Sequence, residues 1–250
     1  DLSALILTNN SNLHSGTSAI NLNTITDGND SFILGLGDND QTGAITLAGN
    51  VTVNEINTFV SAYDVALLGT SNTIDSNTNF SNTGVITLGN DASDSNTFID
   101  GLDTTGAGST SIAGTVSTND SQIDLGDLTL TTASTLRSGS ADINVSSVSD
   151  GTNAFTLALG DTSQSGNITF TGNTTINALN TFAGAYDVAL LGSSNTLDSY
   201  TSFNNTGTVT LGDDASDNHS FTSGLDTTST VGTNTAGSIE TIDTQMDLSD

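Results

Sequence analysis

The sequence contains no cysteine, no proline and no tryptophan, and its single basic residue, Arg137, stands against 28 acidic ones in 250 residues. Without cysteine there is neither a disulfide framework nor thiolate chemistry. With a formal net charge of −27 no basic surface is left to neutralise phosphates, so neither nucleic acid nor a polybasic grip on anionic lipid is expected. No apolar run approaches the roughly 20 residues that cross a bilayer. The opening DLSALILTNNSN lacks a basic stretch and a cleavage site. Direct membrane insertion is therefore not expected, and an export signal or anchor would lie outside these residues. Charged residues make up only 12% of the chain and hydrophobic ones 34%, both well below globular norms. Even so, Ile, Val, Leu and Phe recur in regular short clusters and the mean hydropathy is −0.07, which predicts an ordered chain with a thin core rather than disorder.

What the chain does contain is repetition. NTFVSAYDVALLGTSNTIDS from Asn57 matches NTFAGAYDVALLGSSNTLDS from Asn180, an offset of 123 residues. The same offset joins Asp1-Leu2 to Asp124-Leu125, Asp27-Gly28 to Asp150-Gly151 and Gly101-Leu102-Asp103 to Gly224-Leu225-Asp226. No gap is needed, and Asp124-Leu125 returns once more as Asp247-Leu248. The chain divides into unit one at 1–123, unit two at 124–246 and the start of a third copy at 247–250.

A finer period runs inside each unit. Glycines close apolar clusters at Gly49, Gly69 and Gly89, and again at Gly172, Gly192, Gly212 and Gly232, in steps of 20. The clusters AITLAG, DVALLG and GVITLG are β-rich, and the GTSNT, SNTG and GNDASDSN stretches between them carry turn residues. Helix is disfavoured by the abundance of Thr, Ser, Asn and Gly and by the lack of an i, i+3, i+4 stripe. A 20-residue period of short strands cannot bury its own apolar face and must stack on its neighbours. The predicted fold is all-β, a parallel β-helix (β-solenoid) with about 20 residues per coil and about six coils per unit. The rival is a pair of cadherin-like sandwiches with calcium at the linkers, against which the absence of Pro and Trp and the glycine step argue. Stacking predicts inward columns such as Leu47, Leu67 and Leu88, and Phe59 over Phe80 over Phe98, with Phe182, Phe203 and Phe221 repeating them. No divergent capping repeat is visible, so further copies of the chain are the expected partners, end to end or within one polypeptide.

Acidic residues gather in turn-like strings: DGND, GDNDQTG, GNDASDSN and GDDASDNH. Hard carboxylate oxygens on glycine-rich turns suit Ca2+, which makes Asp38, Asp40, Asp91, Asp94, Asp214 and Asp217 the candidate ligands, beside the plainer reading of solvated turns. Catalysis finds little support. There is no GxxxxGK[ST], HExxH or Ser/His/Asp order, and His14, Arg137 and His219 face different residue types in the other copy (Arg137, His14 and Asn96), as freely drifting exposed positions would. The repeated Tyr63-Asp64 and Tyr186-Asp187 are the most constant polar pair. The tyrosines are expected to cover the core edge with their hydroxyls in solvent, or to stack on a sugar. Asn-x-Ser/Thr triplets such as Asn50-Val51-Thr52 would accept glycans only in a suitable secretory host.

The strands ITLAGN, VITLGN, NITFTGN and GTVTLGD, in a Ser/Thr/Asn-rich chain without Cys or Lys, resemble the repeat regions of filamentous-haemagglutinin-like proteins and autotransporter passengers. That resemblance implies a right-handed parallel β-helix secreted across an outer membrane, at the cell surface, with a part in adhesion, biofilm or fibre formation. The secretion domain and anchoring barrel of those families are not among these residues. The expected function is a non-enzymatic structural segment of an extracellular filament or giant surface protein. The alternatives are an adhesin rod that binds surface glycans and, third, a polysaccharide-acting β-helix enzyme.

Overall fold

The computed structural model describes residues 2–28 and 30–249. Among them there is no helix: short parallel strands stack into a β-solenoid of about 11 turns, with roughly 22 residues per turn. Each turn has three faces. In one turn of unit one the chain lays Ile45–Leu47 on a first face, Val51–Val53 on a second and Glu55–Thr58 on a third, then returns to the first at Val65–Leu67. Residues alternate inward and outward along most strands, so Ile45 and Leu47 are buried while Thr46 between them is partly exposed. The narrow core is filled from all three sides.

The predicted leucine column is present: Leu47 pairs with Leu67, and Leu67 with Leu88. The phenylalanine column is not. Phe98 lies beside Ile74 on the second face, whereas Phe80 donates its N–H to Asp103 O at the third. The two rings meet across the core edge to face, with centroids 6.4 Å apart and planes at 80°. Phe59 stays partly exposed and Phe182 is 38% exposed, because the corner beneath them is filled by Tyr63 and Tyr186.

Coil length departs from the sequence expectation as well. Leu47, Leu67 and Leu88 advance by 20 and 21 residues, but Leu22 to Leu47 and Leu88 to Ile112 advance by 25 and 24. The glycine steps from Gly49 to Gly89 and from Gly172 to Gly212 follow short turns, whereas the step from Gly212 to Gly232 falls inside a turn of 24 residues; the long turns carry the acidic strings. Five full turns on the first face lead from Ile45 through Val65, Ile86, Thr110 and Leu128 to Val148. The repeat partner of Ile45 is Ile168, which lies two faces further on, stacked on Ile143 of the third face. One unit is therefore five and two-thirds turns instead of six, and unit two sits a third of a turn around from unit one. All three faces obey the shift. Second-face strand Ser71–Ile74 reappears as Ser194–Leu197 on the first face, and third-face strand Leu102–Asp103 as Leu225–Asp226 on the second.

Glycine is required where turns touch. A Cβ on Gly69 would lie 2.5 Å from Gly49 O, and one on Gly192 2.4 Å from Gly172 O, so backbone rests on backbone at that corner. Gly89 and Gly212 have φ of +81° and +79°, which turn the chain out of its first and third faces into the acidic strings.

Candidate functional site

The acidic strings form turns at the corners, while further carboxylates such as Asp103 and Asp124 stand on third-face strands and hydroxyls line the second face. Thr26, Thr52, Thr73 and Thr97 follow one another up the outside of the second face, and the next residue of the column, Ser117, is covered. In the string 89–96, Asp94 is buried and its Oδ2 accepts the N–H groups of Asn90 and Asp91 at 2.8 and 3.0 Å. Asp91 Oδ1 accepts the N–H and hydroxyl of Ser93, which hold its carboxyl below the usual range. Unit two repeats this: Asp217 Oδ2 accepts from Asp213 and Asp214, Asp214 Oδ1 accepts from Ser216, and both carboxyls are lowered by those donors. Asp38 Oδ1 accepts the N–H of Asp40, whose own side chain is exposed. The six candidate ligands thus fall into three separate turns, two to a turn, and in all but Asp40 one oxygen accepts a backbone N–H. Among the described residues no three His, Cys, Asp or Glu side chains converge as a metal-binding group.

The tyrosines are more deeply placed than their sequence suggested. Tyr63 is 1% exposed; its hydroxyl donates to Leu36 O at 2.6 Å and accepts the N–H of Phe59 at 2.9 Å. Tyr186 repeats the pattern with Leu159 O and Phe182 N–H. Burial pushes both phenols above the ordinary tyrosine range. Neither hydroxyl reaches solvent and neither ring offers a face to a sugar, since Tyr63 shares the inward parity of Val65 and Leu67.

His219 also corrects the sequence reading, for it is fully buried rather than drifting on the surface. In unit one Asn72 accepts the N–H of Val51 at 2.9 Å and donates to Gly69 O and Asn96 Oδ1, forming a buried amide ladder. In unit two Asn195 does the same with Thr174 N–H and Gly192 O, and His219 replaces the second asparagine, with Nδ1 2.8 Å from Asn195 Nδ2. Because the amide oxygen is held by Thr174, Asn195 presents its NH2 to the ring. Nδ1 therefore accepts and the proton sits on Nε2. Burial holds the imidazole below the usual histidine range, against the opposite pull of Asp217. Nε2, like Asn96 Nδ2 in unit one, is buried without a partner among the described residues.

The other two basic side chains do form a repeated pair, which residue-type comparison missed. His14 Nδ1 lies 2.9 Å from Asp38 Oδ2, and Arg137 Nη1 lies 3.4 Å from Asp161 Oδ2. The offset of 123 relates both members, and that shared offset was the readable signal. Arg137 borders an open groove of about 510 Å³ lined by Thr97, Ser117, Asp120, Asp161 and Ser163, which straddles the boundary between the units.

That boundary is itself a built interface. Across it Val116 stacks on Leu136 and Ile123 on Ile143, all fully buried. Asp120, at φ +56°, accepts the N–H of Ser140 at 2.9 Å, and Gly139, whose φ of +65° favours glycine, lies against the Asp120 carboxylate. No known protein family matches the chain, and neither does any curated protein or solved structure.

Proposed function

We propose that the chain is a non-enzymatic structural segment of an extracellular filament or large cell-surface protein, and that stacking is its function. The observation that carries this reading is the unbroken core across the unit boundary: the residues stacked across the seam are as fully buried as those within a unit, so one core continues from unit to unit. At about 4.8 Å per turn, 11 turns extend on the order of 50 Å. Acidic corners and hydroxyl-bearing faces keep such a rod soluble without basic residues. The likeness of its strands to filamentous-haemagglutinin-like and autotransporter repeats supports secretion and a place at the cell surface. Immunogold labelling of intact source cells with antibody to the chain tests it. Label along surface fibres is expected, and label confined to the cell interior would overturn it.

A second reading, an adhesin rod, draws on the polar groove at Arg137, whose hydroxyls, carboxylates and guanidinium match the donors and acceptors of a glycan. Glycan-array binding abolished by Arg137→Ala would favour it, and binding that survives that change would place the contact elsewhere.

A further inference from the structure

The groove at Arg137 is made by the joint between the units and by neither unit alone: Thr97, Ile99 and Asp120 come from unit one, and Arg137, Asp161 and Ser163 from unit two. Its polar groups are held in place. Asp161 Oδ1 accepts the N–H and hydroxyl of Ser163, which keep its carboxyl below the usual range, while its other oxygen lies 3.4 Å from Arg137 Nη1. Asp120 gives one oxygen to the N–H of Ser140, which leaves the second to a ligand, and its φ of +56° is a backbone conformation that few residue types other than Asp, Asn and Gly adopt. Beside these groups Ile99 is partly exposed and the methylene stem of Arg137 borders the same space, so an apolar strip lies between polar edges. Asn119 adds an amide to the hydroxyls of Thr97 and Ser163. A few fixed polar groups around an apolar strip suit a sugar ring, which presents hydroxyls at its rim and C–H groups on its face.

Charge then decides which sugar. Two carboxylates stand against one guanidinium, so the groove carries an excess of one negative charge. At physiological ionic strength the Debye length is about 8 Å, so the remoter acids of the chain are largely screened and this local excess sets the preference. Uronic, sialic and sulfated sugars are repelled, and a protonated amine is attracted. We propose that the groove binds an amino sugar with a free, protonated amine, as in a de-acetylated glucosamine polymer, with the ammonium donating to Asp120 and the sugar hydroxyls meeting Arg137, Asn119 and Ser163. This rests on the adhesin reading of the same groove and names its ligand.

Arg137 is the sole arginine of a chain without lysine, so its Nε–H gives a single NMR signal that reports on the groove alone. The probes are the glucosamine tetramer, its N-acetylated counterpart, a uronic-acid tetramer and spermine, each titrated at pH 6 and 0.15 M salt, where the carboxylates are ionised and the free amines protonated. The glucosamine tetramer is expected to shift the Arg137 signal and to bind at least several-fold more tightly than the other three. Asp120→Asn keeps the acceptor for Ser140 N–H and tolerates the same φ, so the fold stands while binding weakens at least several-fold. Asp213→Asn removes an equal charge at an exposed turn outside the groove and is expected to leave binding unchanged. Equal binding and an equal Arg137 shift with the acetylated tetramer overturn the amine while leaving the adhesin reading standing, as does tighter binding of the uronic-acid tetramer. Spermine binding as tightly as the glucosamine tetramer, or an equal loss with Asp213→Asn, reduces the attraction to general charge and overturns the site. If no glycan moves the Arg137 signal, the proposal and the adhesin reading fall together.

Discussion

Units one and two share about half their residues and a single geometry, yet they solve one buried position differently. Asn96 ends the amide ladder of the first as a group that cannot titrate, and His219 ends that of the second as a ring that can. The comparison teaches that the ladder needs an acceptor facing Asn72 or Asn195, and that either an amide oxygen or a neutral imidazole nitrogen serves. It also implies that the two halves of one rod respond differently to acid.

The largest expected break comes from the core. Phe98→Ala and Phe221→Ala should each cost about 3–5 kcal/mol. The first should be worse by roughly 0.5–1.5 kcal/mol, because Phe98 also loses its edge-to-face contact with Phe80. Denaturant melts of the two variants compare them directly, and equal losses would remove the aromatic contribution. Next, Asn72→Ala and Asn195→Ala strand the buried N–H groups of Val51 and Thr174 and should cost about 1–3 kcal/mol each.

Acid then separates the units. The folded value of His219 is lowered, so as pH falls below about 6.5 the unfolded chain takes the proton first. Its contribution to stability is present above that pH and drains away as pH drops toward the folded value. His219→Asn should melt progressively higher than the natural chain between pH 7 and pH 5, and Asn96→His should make unit one acid-sensitive in turn. Parallel pH profiles for all three proteins would show that the ring takes its proton as readily in the folded chain as in the unfolded one, and so is not buried. The smallest effect is expected at the exposed pairs: Arg137→Ala and His14→Ala should each change stability by about 0–1 kcal/mol, and less in high salt.

Much of this was legible in the residues. The 123-residue offset, the strands ending at Gly49 and Gly69 and the leucine column all follow from counting, because stacked turns force like onto like. The rotation between units was not legible, since the turns holding Asp38–Gln41 and Asp91–Asp94 absorb extra residues that a glycine count skips. Phe59 was misplaced because its N–H caps the Tyr63 hydroxyl while the Tyr63 ring takes the inward place. The burial of His219 could have been read from parity, as it stands two residues before Phe221 on the same side of its strand. The carboxylates of Asp94 and Asp217 were read as outward ligands, whereas unpaired N–H groups in their own turns draw them inward.

The third-turn offset bears on how such a gene can change. Each face of unit one is followed, one unit later, by residues that served on a different face, so the three sides accept one another's sequences. An in-frame gain or loss of a whole unit by recombination rejoins the same two surfaces and leaves every remaining contact as it was. Length is thereby free to vary among descendants while the fold stays the same, and only the compass bearing of what lies downstream is altered.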